Sequence, residues 1–372
     1  MTPERSGSRL EGQGSRQGVP PASSPEPAAS GPHATRVLVI GPSNIGDAVL
    51  MADCVALIRR RYPDAHLTLV VGSRATSLFA DDPRVQTLVD ASQFDSPLGR
   101  VRLAWVLWRY QPRVVVDLRH TFYPVLLKPL RCWRYLRRPP RTLTHMRARY
   151  LWELRSQAPA VASGVDVRAT EAGAERAEKD PGPLWWSPRD AAHVDGLQRR
   201  WQLGATDRVV IICPGARSHI KRWTAEGFAE VADRLIDDAH VHVILSGEPE
   251  EEPIIEEVLG RMRHRAHSAV GLTTIRQLGV LMRRASLVIT NDSASLHVAS
   301  ACRVPTVAIF GPTADDAYGP TSPAHHTIRR RLFCAPCERS LCRFSHECMR
   351  FVTPDEVVAA AIDLLQGRGL SG

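Results

Sequence analysis

Short apolar runs alternate along the chain with longer amphipathic stretches. Four consecutive apolar residues, Val37 to Ile40, predict a strand buried on both faces, and residues 48–62 carry a helical pattern that Pro63 closes. Further strands are predicted at residues 67–71, 85–89 and 114–116. Strands that alternate with helices in this way predict a parallel α/β sheet.

The same pattern begins again after a polar stretch. Apolar runs predict strands at residues 209–212, 241–245, 287–290 and 306–310. Thr224 is a plausible N-cap for an amphipathic helix after the first of these strands. Two similar α/β halves joined by a linker predict two Rossmann-like domains that face a cleft.

The chain therefore divides into five segments. We predict a disordered tail (1–34), an N-terminal Rossmann-like domain (35–156), a linker region (157–204), a C-terminal Rossmann-like domain (205–352) and a final helical segment (353–372) that packs back on the N-terminal domain. The tail is rich in Pro, Gly, Ser and Ala, so it cannot bury enough apolar surface to offset its ordering entropy. It also has no apolar core of a signal peptide, and an over-long start assignment is the alternative.

Composition agrees with a globular protein and adds an excess of positive charge. Hydrophobic residues make up 44% of the chain and charged residues 23%, and eight Cys are too few for a disulfide scaffold, which suits a reducing cytoplasm. The formal net charge is +9, carried almost wholly by Arg. Thirteen Lys or Arg but only one acid, Asp117, lie between Arg100 and Arg149. This field would attract nucleic acid, a membrane surface or a phosphorylated substrate, and charge alone does not separate the three.

Ligands of open α/β sheets bind beyond the carboxyl ends of the strands, so catalytic and binding residues are expected in the loops after the strands. The loop after the first strand lacks the G-x-G-x-x-G dinucleotide fingerprint, but it holds Gly46 and Asp47. Asp47 is a candidate general base facing the cleft. The alternative is that Asp47 only caps the following helix.

Two loops of the second half carry features of a phosphate site. Arg217, Lys221 and Arg222 precede a helix N-terminus, although they could also form a solvated basic loop. Ser293 and His297 lie four residues apart and so share a helix face, and the backbone N–H groups and the Ser293 hydroxyl at the helix N-terminus could hold a diphosphate. The alternative for this pair is an ordinary N-cap and a core histidine.

Other chemistries find less support. There is no G-x-S-x-G elbow of a serine hydrolase and no P-loop of a kinase or ATPase. Four cysteines, Cys334, Cys337, Cys342 and Cys348, could bind zinc, but their spacing is not that of a zinc ribbon. Reduced thiols or labile disulfides are the favoured interpretation, and we predict no metal site.

Taken in order, these motifs resemble glycosyltransferase family 9, the lipopolysaccharide heptosyltransferases. The resemblance covers residues 36–366. It is carried by Gly46-Asp47, Asp117-Leu118-Arg119, Pro214-Gly215-Ala216 with Lys221-x-Trp223, Asn291-Asp292-Ser293 with His297, Phe310-Gly311-Pro312-Thr313 and the terminal Cys-x-x-Cys cluster.

The resemblance implies a GT-B architecture, with the acceptor on the N-terminal domain and the nucleotide-sugar on the C-terminal domain. It implies an inverting enzyme that transfers heptose from ADP-L-glycero-D-manno-heptose to the lipopolysaccharide inner core without a cofactor or metal. The expected partners are the ADP-sugar, a phosphorylated core acceptor and the anionic inner membrane, which the protein would contact peripherally from the cytoplasm. Nucleic acid is not an expected partner.

The resemblance also implies roles for individual residues. Asp47 matches the catalytic base. An acid within residues 248–251 matches the ribose-binding acid, and we favour Glu250. The donor-binding residues are Lys221, Arg217, Glu250, Asp292, Ser293, Ala294 and His297, and the acceptor-binding residues are Arg119, Lys128 and Arg131.

One departure leaves alternatives open. Ala294 stands where the family usually has Gly, and its β-carbon could crowd a donor phosphate. The chain could therefore use another nucleotide-sugar or acceptor, or be a weakly active sugar-nucleotide-binding protein. The core hydroxyl that accepts the sugar, and hence heptosyltransferase I, II or a later enzyme, also stays open.

Overall fold

The computed structural model describes residues 35–128, 133–159 and 183–367. The predicted tail, most of the polar part of the predicted linker and the predicted acceptor residue Arg131 lie outside the described residues.

Residues 36–117 build a first parallel sheet of four strands. The strands are β1 (Arg36–Ile40), β2 (His66–Val71), β3 (Thr87–Asp90) and β4 (Val114–Asp117), in the order β3-β2-β1-β4. The four predicted strands are confirmed, although β3 begins two residues later than expected. Val85 is instead held in a turn, because its N–H donates to the carbonyl of Asp82.

In the described residues 35–128 and 133–159, six helices accompany the first sheet. They are α1 (Ile45–Arg61), α2 (Ser73–Phe79), α3 (Pro97–Tyr110), α4 (Tyr123–Leu127), α5 (Trp133–Leu136) and α6 (Met146–Gln157). Helix α6 packs against α1 and β4, and this brings its side chains towards the loop that follows β1.

The predicted linker region contains a well-defined helix. Helix α7 (Pro188–Arg200) begins at a capping box in which Ser187 and Asp190 bond to each other's backbone N–H groups. The tryptophans before it, Trp185 and Trp186, lie beneath the guanidinium groups of Arg276 and Arg283. Composition alone did not predict this helix, because its polar residues resemble those of a linker.

Residues 209–329 build a second parallel sheet of six strands in the order β10-β9-β8-β5-β6-β7. The strands are β5 (Val209–Cys213), β6 (His242–Leu245), β7 (His267–Ser268), β8 (Leu287–Asn291), β9 (Thr306–Phe310) and β10 (His325–Arg329). The helices are α8 (Ala225–Ala239), α9 (Glu252–Arg261), α10 (Ile275–Arg283), α11 (Ala294–Ala301), α12 (Asp315–Tyr318), α13 (Glu347–Arg350) and α14 (Pro354–Leu365). The four strands predicted in this half are confirmed, and the sequence pattern missed β7 and β10.

The last helix packs on the second sheet, so the prediction that it returns to the first half was wrong. Its buried residues Val357, Val358 and Leu364 join the core formed with α8 and with strands β8 and β9. The indole N–H of Trp223 donates to the carbonyl of Val352 at 3.1 Å and holds the start of the helix beside this sheet. The apolar face of α14 is therefore already covered within the second half.

The two sheets are joined through α1 and α11, which pack against each other. Both helices follow the carboxyl end of a strand, β1 in one sheet and β8 in the other. Their N-terminal ends meet closely, since a Cβ built on Gly46 would lie 2.8 Å from His297 Cδ2. Glycine at position 46 therefore allows the loop after β1 to approach the second sheet.

Candidate active site

Asp47 lies in the first turn of α1 with side chains as its hydrogen-bond partners. Asn44 is the N-cap residue of α1, but its side chain makes no capping bond. Its amide instead donates to Asp47 Oδ2 at 3.4 Å, and the Tyr150 hydroxyl on α6 also hydrogen-bonds the carboxylate. These contacts hold the carboxylate from two sides, beside the junction of α1 and α11.

The charges around Asp47 come from both halves of the chain. Burial raises the pKa of the Asp47 carboxyl above its ordinary value. The bonds from Asn44 and Tyr150 and the nearby Lys221 ammonium oppose that rise, whereas Asp292 adds to it. Asp47 is thus a more basic carboxylate than an exposed one, set close to a cation of the second half.

Lys221 is paired with a buried carboxylate. Its Nζ lies 2.6 Å from Asp292 Oδ2, and Asp292 is only 5% exposed. The Thr313 hydroxyl donates to the same oxygen at 2.6 Å. Asp292 and Thr313, both from loops after apolar strands, therefore fix the position of the lysine.

Asn291, buried at the end of β8, ties two loops of this site together. Its Nδ2 donates to the carbonyl of Pro214 at 2.7 Å, and its Oδ1 accepts from the backbone N–H of Trp223 at 3.1 Å. The segment 214–223, which contains Lys221, is thus anchored to the start of α11. The sequence motif contained this asparagine without indicating its role. An amide side chain at the end of an apolar strand is the one pattern that points to a buried hydrogen-bonding residue.

The N-terminus of α11 faces the same region. Ser293 is the N-cap residue, and its side chain makes no capping bond but lies 3.3 Å from the Thr290 hydroxyl. The first N–H groups of a helix have no intrahelical acceptor and can bind an anion. Ala294 is the first residue of the helix, and its Cα lies close to Gly46.

His297 lies one turn further along α11 and is held in its neutral form. It is 6% exposed, and burial lowers its pKa to about 4. Its Nδ1 is buried and has no hydrogen-bond partner among the described residues. His297 contacts Gly46 across the junction of the two halves, and Asp292 and Lys221 are among the charges that act on its imidazole.

Arg217 and the acids of the loop after β6 lie at the rim of the site. The guanidinium of Arg217 is exposed and donates to Asn44 Oδ1 at 3.3 Å, which links the two halves again. Glu250, the favoured ribose-binding acid, is exposed on the turn that Pro249 begins. The structure instead places Glu251 inward, with its carboxylate against Gly215 and Gly247. Of the two acids, Glu251 therefore lies inside the loop and Glu250 outside it, and the ribose-binding role of this loop stays a prediction.

Two of the three predicted acceptor residues follow β4, whose carboxyl end neighbours that of β1. Arg119 is exposed, and its backbone N–H donates to the buried Asp117 carboxylate at 2.9 Å. Lys128 is half-buried at the end of α4. Both therefore belong to the first half of the chain, as Asp47 does.

A sequence profile described as "Glycosyltransferase family 9 (heptosyltransferase)" matches residues 128–347, more than half of the chain. The chain belongs to glycosyltransferase family 9. The resemblance inferred from the motifs is thereby confirmed, and the protein is a glycosyltransferase.

Relatives of the family 9 chain match it along most of its length. It is 26% identical to the lipopolysaccharide heptosyltransferase 2 of Salmonella typhimurium over 90% of this chain and 100% of that protein. It is also 26% identical to the Escherichia coli protein of the same name, over 79% of this chain and 88% of that one.

Solved structures show the fold. The Escherichia coli ADP-heptose lipopolysaccharide heptosyltransferase II superposes with a TM-score of 0.66 at 22% identity, covering 90% of this chain and 99% of that one. A family 9 glycosyltransferase from Veillonella parvula gives a TM-score of 0.74 at 20% identity, with 90% and 98% covered. The predicted GT-B architecture is confirmed.

The family 9 chain holds a buried acid–histidine pair that sequence reasoning missed. Glu153 Oε1 on α6 lies 2.7 Å from His120 Nε2, in the loop after β4. Burial raises the pKa of Glu153 to about 8 and lowers the pKa of His120. Glu153 is one helical turn from Tyr150, the residue that bonds Asp47. The two residues are 33 positions apart, and no local pattern connects them.

The cysteine cluster of the family 9 chain does not form a metal site in the part of the chain that the structure describes. Among those residues, no group of three or more His, Cys, Asp or Glu is arranged to hold a metal ion. The thiols of Cys334, Cys337, Cys342 and Cys348 are free. Burial, followed by the proximity of the other three thiols, raises the pKa of Cys348.

Proposed function

We propose that this family 9 glycosyltransferase transfers heptose from an ADP-heptose to the phosphorylated inner core of lipopolysaccharide, with inversion at the anomeric carbon. The names of its relatives, lipopolysaccharide heptosyltransferase 2, support this donor sugar and acceptor. The observation that carries the proposal is the proximity of Asp47, from one half of the chain, to Lys221 and Asp292, from the other.

The second half would bind the donor. Lys221, the N-terminus of α11 and Arg217 present positive charge or N–H groups to one region, where a nucleoside diphosphate would fit. The leaving group of the reaction is that diphosphate. Donors fixed before the reaction stabilise its growing negative charge electrostatically, without a metal ion. Glu251 takes the place of Glu250 as the acid proposed to bind the ribose.

Asp47 would act as the general base. The acceptor hydroxyl would approach from the first half of the chain, give its proton to the Asp47 carboxylate and attack the anomeric carbon. The diphosphate would depart towards Lys221, on the opposite side of the sugar. A single displacement between two such faces inverts the configuration at that carbon.

The acceptor would be anionic and membrane-borne. Arg119 and Lys128 belong to a stretch, Arg100 to Arg149, with thirteen basic residues and one acid. In the described residues, no helix is both long and apolar enough to cross a bilayer. We propose that the protein lies in the cytoplasm and that its basic stretch contacts the anionic inner membrane peripherally, and we expect no nucleic-acid partner.

A donor and acceptor screen tests the proposal. Calorimetry should show binding of ADP-heptose in preference to UDP-, GDP- and dTDP-sugars. Incubation with a heptose-deficient core acceptor should yield a product of inverted anomeric configuration by NMR. Tight binding of another nucleotide-sugar would instead select a different family 9 reaction. Binding of ADP-heptose with no transfer to core acceptors would favour a weakly active binding protein, as Ala294 suggests.

A further inference from the structure

Helix α3 carries a row of apolar side chains on the face turned away from the core. Its inner face buries Leu103 and Leu107 against the first sheet. The outer row, which we call the α3 stripe, consists of Leu98, Val101, Trp105 and Trp108, which are 82%, 66%, 53% and 59% exposed. Spacings of three, four and three residues align them along one helix face about 15 Å long.

Such a row is unusual on a protein surface. Single exposed apolar residues are common, but a continuous apolar patch marks a surface that another partner covers. Helix α4 packs beside α3, and two more large apolar side chains, its N-cap residue Phe122 and Leu126, are exposed there. The apolar surface therefore extends beyond one helix.

The charge around the α3 stripe identifies the kind of partner. Arg102 and Arg109 follow one edge of it, and the Arg109 guanidinium stacks 4.8 Å from the centre of the Trp105 ring. A helix that presents Trp and aliphatic residues beside arginines is typical of one that lies in the interface of an anionic bilayer. A second copy of this chain would bring the same positive charge to the contact and be repelled.

The α3 stripe belongs to the same half of the chain as the proposed acceptor residues. Helix α3 runs from the carboxyl edge of β3 to the start of β4, and α4 follows β4 at the same carboxyl edge. The exposed Arg119 lies in the loop between β4 and α4. The α3 stripe therefore begins, at Leu98, near the end of the first sheet that carries Arg119, and Trp105 and Trp108 lie towards the opposite edge, where Tyr110 bonds the first residues of β1 and β2.

We propose that the α3 stripe is the surface by which the protein docks on an anionic lipid bilayer. Trp105 and Trp108 enter the interface, and the neighbouring arginines contact lipid phosphates. The proposal rests on the proposed function, because a lipid-anchored acceptor is what makes docking on a bilayer useful. Vesicle binding nevertheless tests it without any transfer reaction.

The experiment compares the full chain with the double variant Trp105→Gln/Trp108→Gln. Partition into vesicles containing 30% anionic phospholipid should fall at least about 10-fold in the variant, because exposed Trp anchors are lost while the core is untouched. Brominated acyl chains should quench the tryptophan emission of the wild type and not that of the variant. The double variant Phe333→Gln/Phe351→Gln, which alters two exposed aromatics of the second half, should bind like the wild type.

Transfer to a delipidated, phosphorylated core oligosaccharide separates docking from chemistry. The tryptophan variant should keep this activity within about twofold of wild type and lose rate only on acceptor embedded in vesicles. Equal vesicle binding by wild type and variant would overturn the proposal. The proposal would also be overturned if light scattering showed a wild-type dimer that the variant disrupts, and neither the wild type nor the variant bound vesicles. Absence of transfer to the soluble oligosaccharide by the wild type would refute the proposed function alone.

Discussion

Asp47 accepts hydrogen bonds from two uncharged side chains, Asn44 at the start of α1 and Tyr150 on α6. Both bonds favour the charged form and so lower the pKa of the carboxyl, whereas burial raises that pKa by more. A helix cap would instead accept from backbone N–H groups of its own helix. The geometry at this residue therefore suits a base better than a cap.

We predict that Asp47→Asn lowers the transfer rate by about 10²–10⁴-fold, the usual range for loss of a general base. Asn keeps the size and the hydrogen bonds of the side chain, so the melting temperature and the affinity for ADP-heptose should change little. Steady-state transfer, calorimetry and thermal melting of one variant measure all three. Turnover within a few-fold of wild type would mean that the base lies elsewhere.

Tyr150 provides a test through pH dependence. Its hydroxyl bonds the charged form of Asp47 and so lowers the pKa of that carboxyl. Tyr150→Phe should therefore raise the pKa of Asp47 further, and the acid limb of the kcat/KM profile should move to higher pH. A purely structural tyrosine would lower stability or rate at every pH and leave the limb in place. The profile should be recorded with saturating donor.

Glu153 links protonation to stability. Folding raises its pKa from 4.5 to about 8, so the native protein retains a proton that the unfolded chain releases between those values. This contribution to stability is complete below pH 4.5 and is lost as the pH rises through about 8, at up to about 1.4 kcal/mol per pH unit. Glu153→Gln cannot ionise, so its stability relative to wild type should increase between pH 5 and 8.

Thermal melting across that pH range measures the effect of Glu153→Gln. The exposed Glu230, changed to Gln, is the control and should follow the wild-type curve. The pKa values of Glu153 and of its partner His120 also depend on three nearby charged residues, Asp117, Arg138 and Arg149. Parallel curves for Glu153→Gln and wild type would show that Glu153 is ionised in the native protein.

At the scale of elements, the donor side of the site depends on two loops that one buried amide joins. Asn291 fixes the segment that contains Lys221 to the strand end that begins α11. The lysine and the helix N-terminus are therefore positioned as a unit before any ligand binds. Preorganisation of this kind lowers the cost of placing charge around a diphosphate.

We predict that Lys221→Ala weakens binding of ADP-heptose by about 1.5–3 kcal/mol, the range for a hydrogen bond to a charged group. The change also removes the cation paired with the buried Asp292, so the free energy of unfolding should fall by about 1–3 kcal/mol. Isothermal calorimetry and chemical denaturation measure the two effects. Arg265→Ala, at an exposed position of the same half, is the control, and unchanged donor affinity in Lys221→Ala would remove the lysine from the site.

At the scale of the whole molecule, local sequence patterns predicted the central strands and the loops that carry the site. Apolar runs located the central strands of both sheets, and motifs placed Asp47, Lys221 and Asp292 at the carboxyl ends of strands. These patterns missed β10, because His325–Arg329 is a polar edge strand with no apolar run.

Long-range contacts explain the other differences. Nothing near Glu250 in the sequence shows that the turn at Pro249 points Glu251 inward. The pairing of His120 with Glu153 depends on how α6 packs on β4, and the place of α14 depends on which core has an uncovered face. These are properties of the assembled fold, which no single stretch of sequence carries.

The packing of α14 gives a prediction for the molecule as a whole. Leu364 lies in the core of the second sheet, so Leu364→Ala should lower the free energy of unfolding by about 2–5 kcal/mol. Because α14 supports β8 and β9, whose ends carry Asp292 and Thr313, affinity for ADP-heptose should fall as well. Hydrogen exchange should accelerate in the second sheet.

Leu107→Ala is the matched control, since Leu107, on the inner face of α3, is buried in the core of the first sheet. It should cost a similar free energy of unfolding, again about 2–5 kcal/mol, but leave the affinity for ADP-heptose close to that of wild type. Its faster hydrogen exchange should be confined to the first sheet. If Leu364→Ala instead exposed the first sheet to exchange and spared donor binding, α14 would have to pack on the first half in solution.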